Sequence, residues 1–174
     1  MARNDTMTAA LGAAGKNLVK EYFLHQGYEI DDSNADASAY IDFTAKRNGV
    51  SKRVFVRTDT RMCTTGNIML ERLMHRVGDN RIEYGWLFSG HADILSYLDA
   101  FTGTLYFFDW DGLKKYATEH CRVMYFRNPY DENTVGDAYV IPTRDLERTE
   151  PFLSKTVIDV EALGKFNFLK PRPF

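Results

Sequence analysis

The chain is poor in the residues that small proteins use as staples. Its two cysteines, Cys63 and Cys121, stand far apart and neither belongs to a CxxC pair. That excludes a disulfide framework and a cysteine zinc site, and points to a reducing, cytoplasmic compartment. The four histidines (His25, His75, His91, His120) form no HExxH or related ligand spacing. No run approaches the roughly 18 apolar residues that a membrane helix needs, so no membrane partner is expected. The opening MARNDTMTAALGAAG lacks the sustained apolar core of a signal peptide. Neither sign of charge dominates: 22 Lys+Arg against 24 Asp+Glu leave a net charge of −2. No overall basic excess advertises a nucleic-acid partner, so any basic surface has to be local.

What is present is an ordinary globular composition with many aromatics, 14% of 174 residues. Sheet core is the commonest use for these, with a base-stacking or partner surface as the alternatives. The length fits a single domain over residues 1–174 with a real core, and residues 170–174 read as a loose tail.

Periodicity predicts a helix over residues 6–26. Leu11, Gly15, Leu18, Val19, Tyr22 and Phe23 share one side. Thr6 or Thr8 caps its start and Gly27 ends it. Gly12 and Gly15 inside it each cost about 1 kcal/mol relative to Ala, which close packing on a sheet would offset. No GK[ST] follows, so they do not form a phosphate loop. Strands are expected at 28–30, 40–46, 52–58, 67–70, 82–88, 105–108, 123–126 and 138–141, with 92–98 read as a helical turn followed by a strand. Asn48-Gly49 marks a hairpin turn. Short helices are expected at 112–120, opened by Asp109 or Asp111, and at 144–147. This order gives an α/β fold: a mixed β-sheet with a central antiparallel hairpin, flanked by an N-terminal helix and short later helices.

Several motifs fall in a telling order. Gly12-Ala13-Ala14-Gly15-Lys16 precedes Gly27-Tyr28. Ile41-Asp42-Phe43 lies on the first hairpin strand and Val54-Phe55-Val56-Arg57-Thr58-Asp59 on the second. Thr65-Gly66-Asn67-Ile68-Met69-Leu70-Glu71 follows, then Gly85-Trp86, Asp93 and Leu113-Lys114. Together, over roughly residues 10–120, they resemble the PD-(D/E)XK nuclease superfamily, the restriction-endonuclease-like fold, in its phage-encoded type. The resemblance implies a catalytic aspartate at Asp42, with the (D/E) at position 55 and the lysine at position 57. It also implies a helix glutamate near position 16. This sequence departs at all three of the latter, with Phe55, Arg57 and Lys16.

The departures matter because phosphodiester cleavage in such a site relies on Mg²⁺ to polarise the phosphate and activate water. Mg²⁺ takes oxygen ligands in octahedral geometry. A phenyl ring cannot bind it, and a guanidinium is a poor proton acceptor. Strand alternation places Asp59 on the face of Phe55 and Arg57, so the resemblance implies, for an active enzyme, Mg²⁺ at Asp42 and Asp59 with Arg57 and Glu71 completing the catalytic set. The simpler expectations are that Asp59 caps a turn, that Glu71 pairs with a surface cation, and that Arg57 pairs with Asp42 and closes the site. Around the hairpin, Lys46, Arg47, Lys52, Arg53 and Arg61 form the strongest local basic run, suited either to phosphate contact or to a solvated strand edge. Arg72, His75 and Arg76 extend it if their segment is helical. Trp86 and Trp110 read as core, His75 and His91 as surface.

Three readings follow. One is a DNA-binding pseudo-nuclease with a degenerate metal site, the second an active Mg²⁺-dependent endonuclease with relocated carboxylates. The third is a protein-interaction or anti-defence inhibitor module whose contact patch would use Phe126, Tyr130 and Phe152. A homodimer is an analogy from related scaffolds.

Overall fold

The structure is a computed structural model that describes residues 2–78, 81–127 and 133–161, with residues 2–8 described by backbone alone. The expected tail at 170–174 lies outside them. The first helix, α1 (Ala2–His25), runs to the glycine expected to stop it, Gly27, which takes φ 79°. Its buried side chains Leu11, Val19 and Phe23 recur every turn or two and, with Gly15, form one stripe. The stripe packs on the hairpin β2 (Phe43–Arg47) and β3 (Val50–Asp59), burying Phe43, Ala45, Val54 and Val56 beneath the helix. A Cβ on Gly15 would collide with the Thr58 hydroxyl. The glycine is therefore a packing requirement, and its helix-propensity cost is the condition for α1 lying this close to β3.

The hairpin turns on Asn48 (φ 52°) and Gly49 (φ 77°), both left-handed, as a two-residue turn demands. With β1 (Glu29–Asp31), β6 (Ile94–Asp99), β7 (Thr104–Asp109) and β10 (Phe152–Val157), β2 and β3 build a six-stranded sheet ordered β1-β2-β3-β6-β7-β10. Only the β3–β6 pairing is parallel. This is the mixed α/β fold expected from the sequence, with β3 of the hairpin at its centre.

A second sheet was not foreseen. β4 (Asn67–Arg76), β5 (Arg81–Tyr84), β8 (Arg122–Arg127) and β9 (Thr134–Pro142) form a four-stranded antiparallel sheet ordered β5-β4-β9-β8. Between the two sheets lies a second core containing Trp86, Trp110, Leu95, Phe108, Ile68 and Leu70. Both tryptophans are 1% exposed, core as expected.

Several element expectations are corrected. The strand expected at 67–70 continues to Arg76, because β4 is paired on both sides, to β9 and β5. Arg72, His75 and Arg76 are thus on a strand and not on a helix. The strand expected at 82–88 stops at Tyr84, and α3 (Trp86–Ser89) follows as one helical turn. A Cβ on Gly85 would sit 2.5 Å from the Glu71 carbonyl, so the chain passes there only as glycine. Residues 92–98 contain no helical turn: β6 is a nearly continuous buried strand. The helix α4 (Trp110–His120) starts two residues before Gly112, and Asp109 caps it, accepting from Gly112 N at 2.7 Å. The helical segment at 144–147 is a 3₁₀ stretch, Thr143–Arg148, and β10 was missed. The one-turn helix α2 (Met62–Thr65) was missed too.

Candidate functional site

The site expected from the motifs lies on β3, on the face turned away from α1, where Phe55, Arg57 and Asp59 alternate. Asp42 stands just before β2, at the edge of β3. Its backbone N–H donates to Val54 O at 2.8 Å, and its Oδ2 accepts from Val56 N at 2.7 Å. The other oxygen, Oδ1, meets Lys16 Nζ of α1 at 2.5 Å. The helix delivers this ammonium because Gly15 lets α1 approach β3. An internal cation therefore sits on the carboxylate that the motif assigns to a metal.

Phe55 is half-buried in an aromatic cluster. Its ring centroid lies 5.4 Å from Tyr40, 5.6 Å from Trp86 and 5.8 Å from Trp110. Tyr40 takes a left-handed backbone conformation (φ 52°), uncommon for an aromatic residue, and so covers the Phe55 ring from the loop side. Burial, and then the Glu71 carboxylate, raise the Tyr40 hydroxyl above the usual phenol range. Arg57 does not reach Asp42. Its Nη2 donates to Glu71 Oε1 on β4 at 2.9 Å, so the pairing expected for Glu71 is made with Arg57 itself. Asp59 caps a turn, as the simpler expectation had it: Oδ1 accepts from Arg61 N at 2.6 Å and Met62 N at 3.0 Å. Its Oδ2 accepts from the Tyr97 hydroxyl at 2.5 Å. Tyr97 is fully buried, and that burial, with the Asp59 charge beside it, drives its hydroxyl well above 10.0.

These residues do not fit a divalent cation. Asp42 and Asp59 each spend both oxygens on partners of their own, Glu71 is held by Arg57, and Phe55 offers no ligand. Among the described residues no three His, Cys, Asp or Glu side chains converge as a metal set.

Strand alternation divides the hairpin cations: Lys46 and Arg53 share one face with Thr44 and Ser51, whereas Arg47 and Lys52 share the opposite face with Ala45, the face that α1 covers. Lys46, Ser51 and Arg53 line a groove of about 410 Å³ with Asn34, Thr44 and Asp93. Lys46 Nζ lies 2.6 Å from Asp31 Oδ2. Arg53 grips Asp93 through Nε (3.1 Å) and Nη2 (2.9 Å), which holds the Asp93 carboxyl below the usual range. Arg47 leans over the Tyr28 ring at 5.3 Å. Lys52 and Arg61 are exposed. Solvent screens pairs of this kind, so a phosphate can compete for Lys46 and Arg53. The hairpin run is therefore two surfaces, Lys46 with Arg53 on one face and Arg47 with Lys52 on the other; Arg61 sits apart from both, at the start of α2.

Lys16 was legible as a substitution but its partner was not, because nothing in the sequence relates a helix position to a carboxylate 26 residues on. Asp93 as the clamp of Arg53, and Tyr40 and Tyr97 as the covers of the site, carried no motif at all. Of the aromatics assigned to a contact patch, Phe152 packs on Phe108 in the six-stranded sheet and Phe126 lies on β8 of the other. They do not form one surface, and Tyr130 lies outside the described residues. His91 is exposed and His75 half-buried on β4.

No family model and no curated protein matches the sequence. The fold is similar to that of the bacterial homing endonuclease I-Ssp6803I, with a TM-score of 0.50 and 17% sequence identity, covering 63% of this chain and 73% of that one. The likeness establishes a nuclease-like fold. What the chain does with it rests on its own residues. Among the described residues no helix is long and apolar enough to cross a membrane.

Proposed function

We propose that the chain binds nucleic acid through its hairpin face without cleaving it, on a scaffold of the phage-encoded PD-(D/E)XK type whose metal position has been taken over by internal contacts. The observation that carries this reading is the Lys16 ammonium 2.5 Å from Asp42, on a site where Phe55 stands in place of an acid. A lysine neutralises the carboxylate without chelation, and Lys46 and Arg53 can exchange their solvent-accessible partners Asp31 and Asp93 for the phosphates of a polyanion. The endonuclease fold of the similar structure supports a nucleic-acid partner over an unrelated one, and duplex DNA is the form proposed. The relocated-carboxylate reading would require Asp59 to abandon its turn and Glu71 to leave Arg57. No contact in the site favours that exchange.

The test is fluorescence anisotropy with a labelled DNA duplex across a salt series. The expected result is an affinity that falls linearly on a log–log salt plot. Lys46→Ala and Arg53→Ala, which alter the same face, should each reduce the slope by about 1. No duplex binding even at about 50 mM salt, where phosphate contacts are strongest, would refute the assignment.

A further inference from the structure

The four-stranded sheet extends farther than the core it covers. On one face, Leu70 and Tyr139 point into the core between the sheets. Two residues on, past a bulge between Glu71 and Leu73, the same face leaves the core and carries two rows set by the strand register. The first is Tyr84, Leu73, Asp137 and Tyr125; the second is Ile82, His75, Val135 and Arg127. Tyr125 is 82% exposed, Tyr84 69% and Ile82 67%. Singly exposed apolar residues need no explanation, but a contiguous set of them does. A hollow of about 500 Å³ lies on this face, lined by Leu73, His75, Ile82, Tyr125, Arg127 and Val135, with Tyr84 outside it at the end of the first row.

Charge decides between occupants. Asp137 is the one carboxylate in these two rows. It is buried and held by Arg72, through Nε at 2.7 Å and Nη2 at 2.5 Å. Among the described residues of these two rows, Arg127, exposed, and His75 are the remaining basic side chains. A second copy of the chain docking by the same face would bring another Arg127 and no exposed carboxylate of these rows to meet it, whereas a polyanion is complementary to that cation. The two tyrosines sit on opposite edge strands of one row, about 14 Å apart at the usual strand spacing. Exposed aromatic faces across a sheet, with a cation at the rim, are what unpaired bases stack on.

We infer that this face is a stacking platform for single-stranded nucleic acid, with bases on Tyr84 and Tyr125 and a backbone phosphate on Arg127. The inference rests on the nucleic-acid reading of the chain but assigns the single strand to the other sheet, not to the hairpin. The probe is a labelled oligothymidylate of about 12 nucleotides, within the span such surfaces cover, titrated beside the duplex used for the hairpin. Tyr125→Ala and Tyr84→Ala should each weaken single-strand binding about 5- to 140-fold and leave duplex binding unchanged. Tyr125→Phe keeps the ring and should stay within about twofold of the parent. Arg127→Ala should lower the single-strand salt slope by about 0.7. If Tyr125→Ala leaves single-strand affinity intact while the hairpin variants abolish it, the platform is refuted and the hairpin reading stands. If no oligonucleotide of either form binds, both fall. Self-association abolished by Tyr125→Ala, with no single-strand binding, would make the face a protein interface and overturn the inference in a third way.

Discussion

Replacing Lys16 by Met removes the ammonium that sits on Asp42 and keeps most of the side chain's length. The cost follows from the burial of the two partners. Asp42 is 14% exposed and Lys16 37%. An exposed pair would be worth about 0–1 kcal/mol, whereas removing one partner of a fully buried pair costs about 3–5 kcal/mol because the other charge is stranded. Here the carboxylate is the buried member. Without Lys16 it keeps only the Val56 N–H, 2.7 Å away. Lys16→Met should therefore destabilise the protein by about 1.5–3 kcal/mol, between those limits. Asp42→Asn should cost less, about 1 kcal/mol, because the stranded ammonium can swing into water while the amide oxygen still accepts from Val56. Urea unfolding of both variants, with the double variant to close a thermodynamic cycle, measures the difference. A Lys16→Met cost within about 0.5 kcal/mol of zero, the range of an ordinary surface substitution, would refute the claim that Lys16 is the counter-ion of this site. So would an Asp42→Asn cost that exceeds it.

Phe55→Ala should cost about 3 kcal/mol or more in urea unfolding, since it opens a cavity among Tyr40, Trp86 and Trp110; a near-neutral result would contradict a packed ring there. Gly15→Ala gains about 1 kcal/mol in helix propensity but drives a methyl into the Thr58 hydroxyl. Overpacking costs of about 1–3 kcal/mol make it a net loss, and a raised melting temperature would contradict the close approach of α1. The Asp93 carboxyl is held below the usual range by Arg53, so its stabilising contribution is complete above about pH 4, the unfolded value. It is lost as pH falls through the lower folded value. Asp93→Asn should accordingly be less stable than the parent at neutral pH and converge with it in acid; a deficit that grows on acidification would invert the assignment.

The parts of the fold that read clearly from the sequence were those whose signal is local. The helix stripe with Gly27 behind it and the Asn48-Gly49 turn depend on nearest neighbours, and both came through. The second sheet did not, because β4 is a strand only by virtue of β5 and β9 pairing on either side, and its charged residues Glu71, Arg72, His75 and Arg76 mask any alternation. β10 owes its existence to pairing with β7 across a long separation. At the site, strand alternation put Phe55, Arg57 and Asp59 on one face. Which cation meets which carboxylate was not legible. Arg57 had an acid within reach on β4 as well as one near β2, and the choice depends on where β4 crosses. Lys16 meets Asp42 only because α1 lies close enough at Gly15, a fact of packing that no motif records.

The hairpin face is proposed to hold polyanions without breaking them. This is tested most directly by incubating supercoiled plasmid with the protein and Mg²⁺ or Mn²⁺, beside the Asp42→Ala variant. The plasmid should be retarded at low salt and stay supercoiled with both proteins. Nicking by the parent that disappears in Asp42→Ala would contradict the proposal.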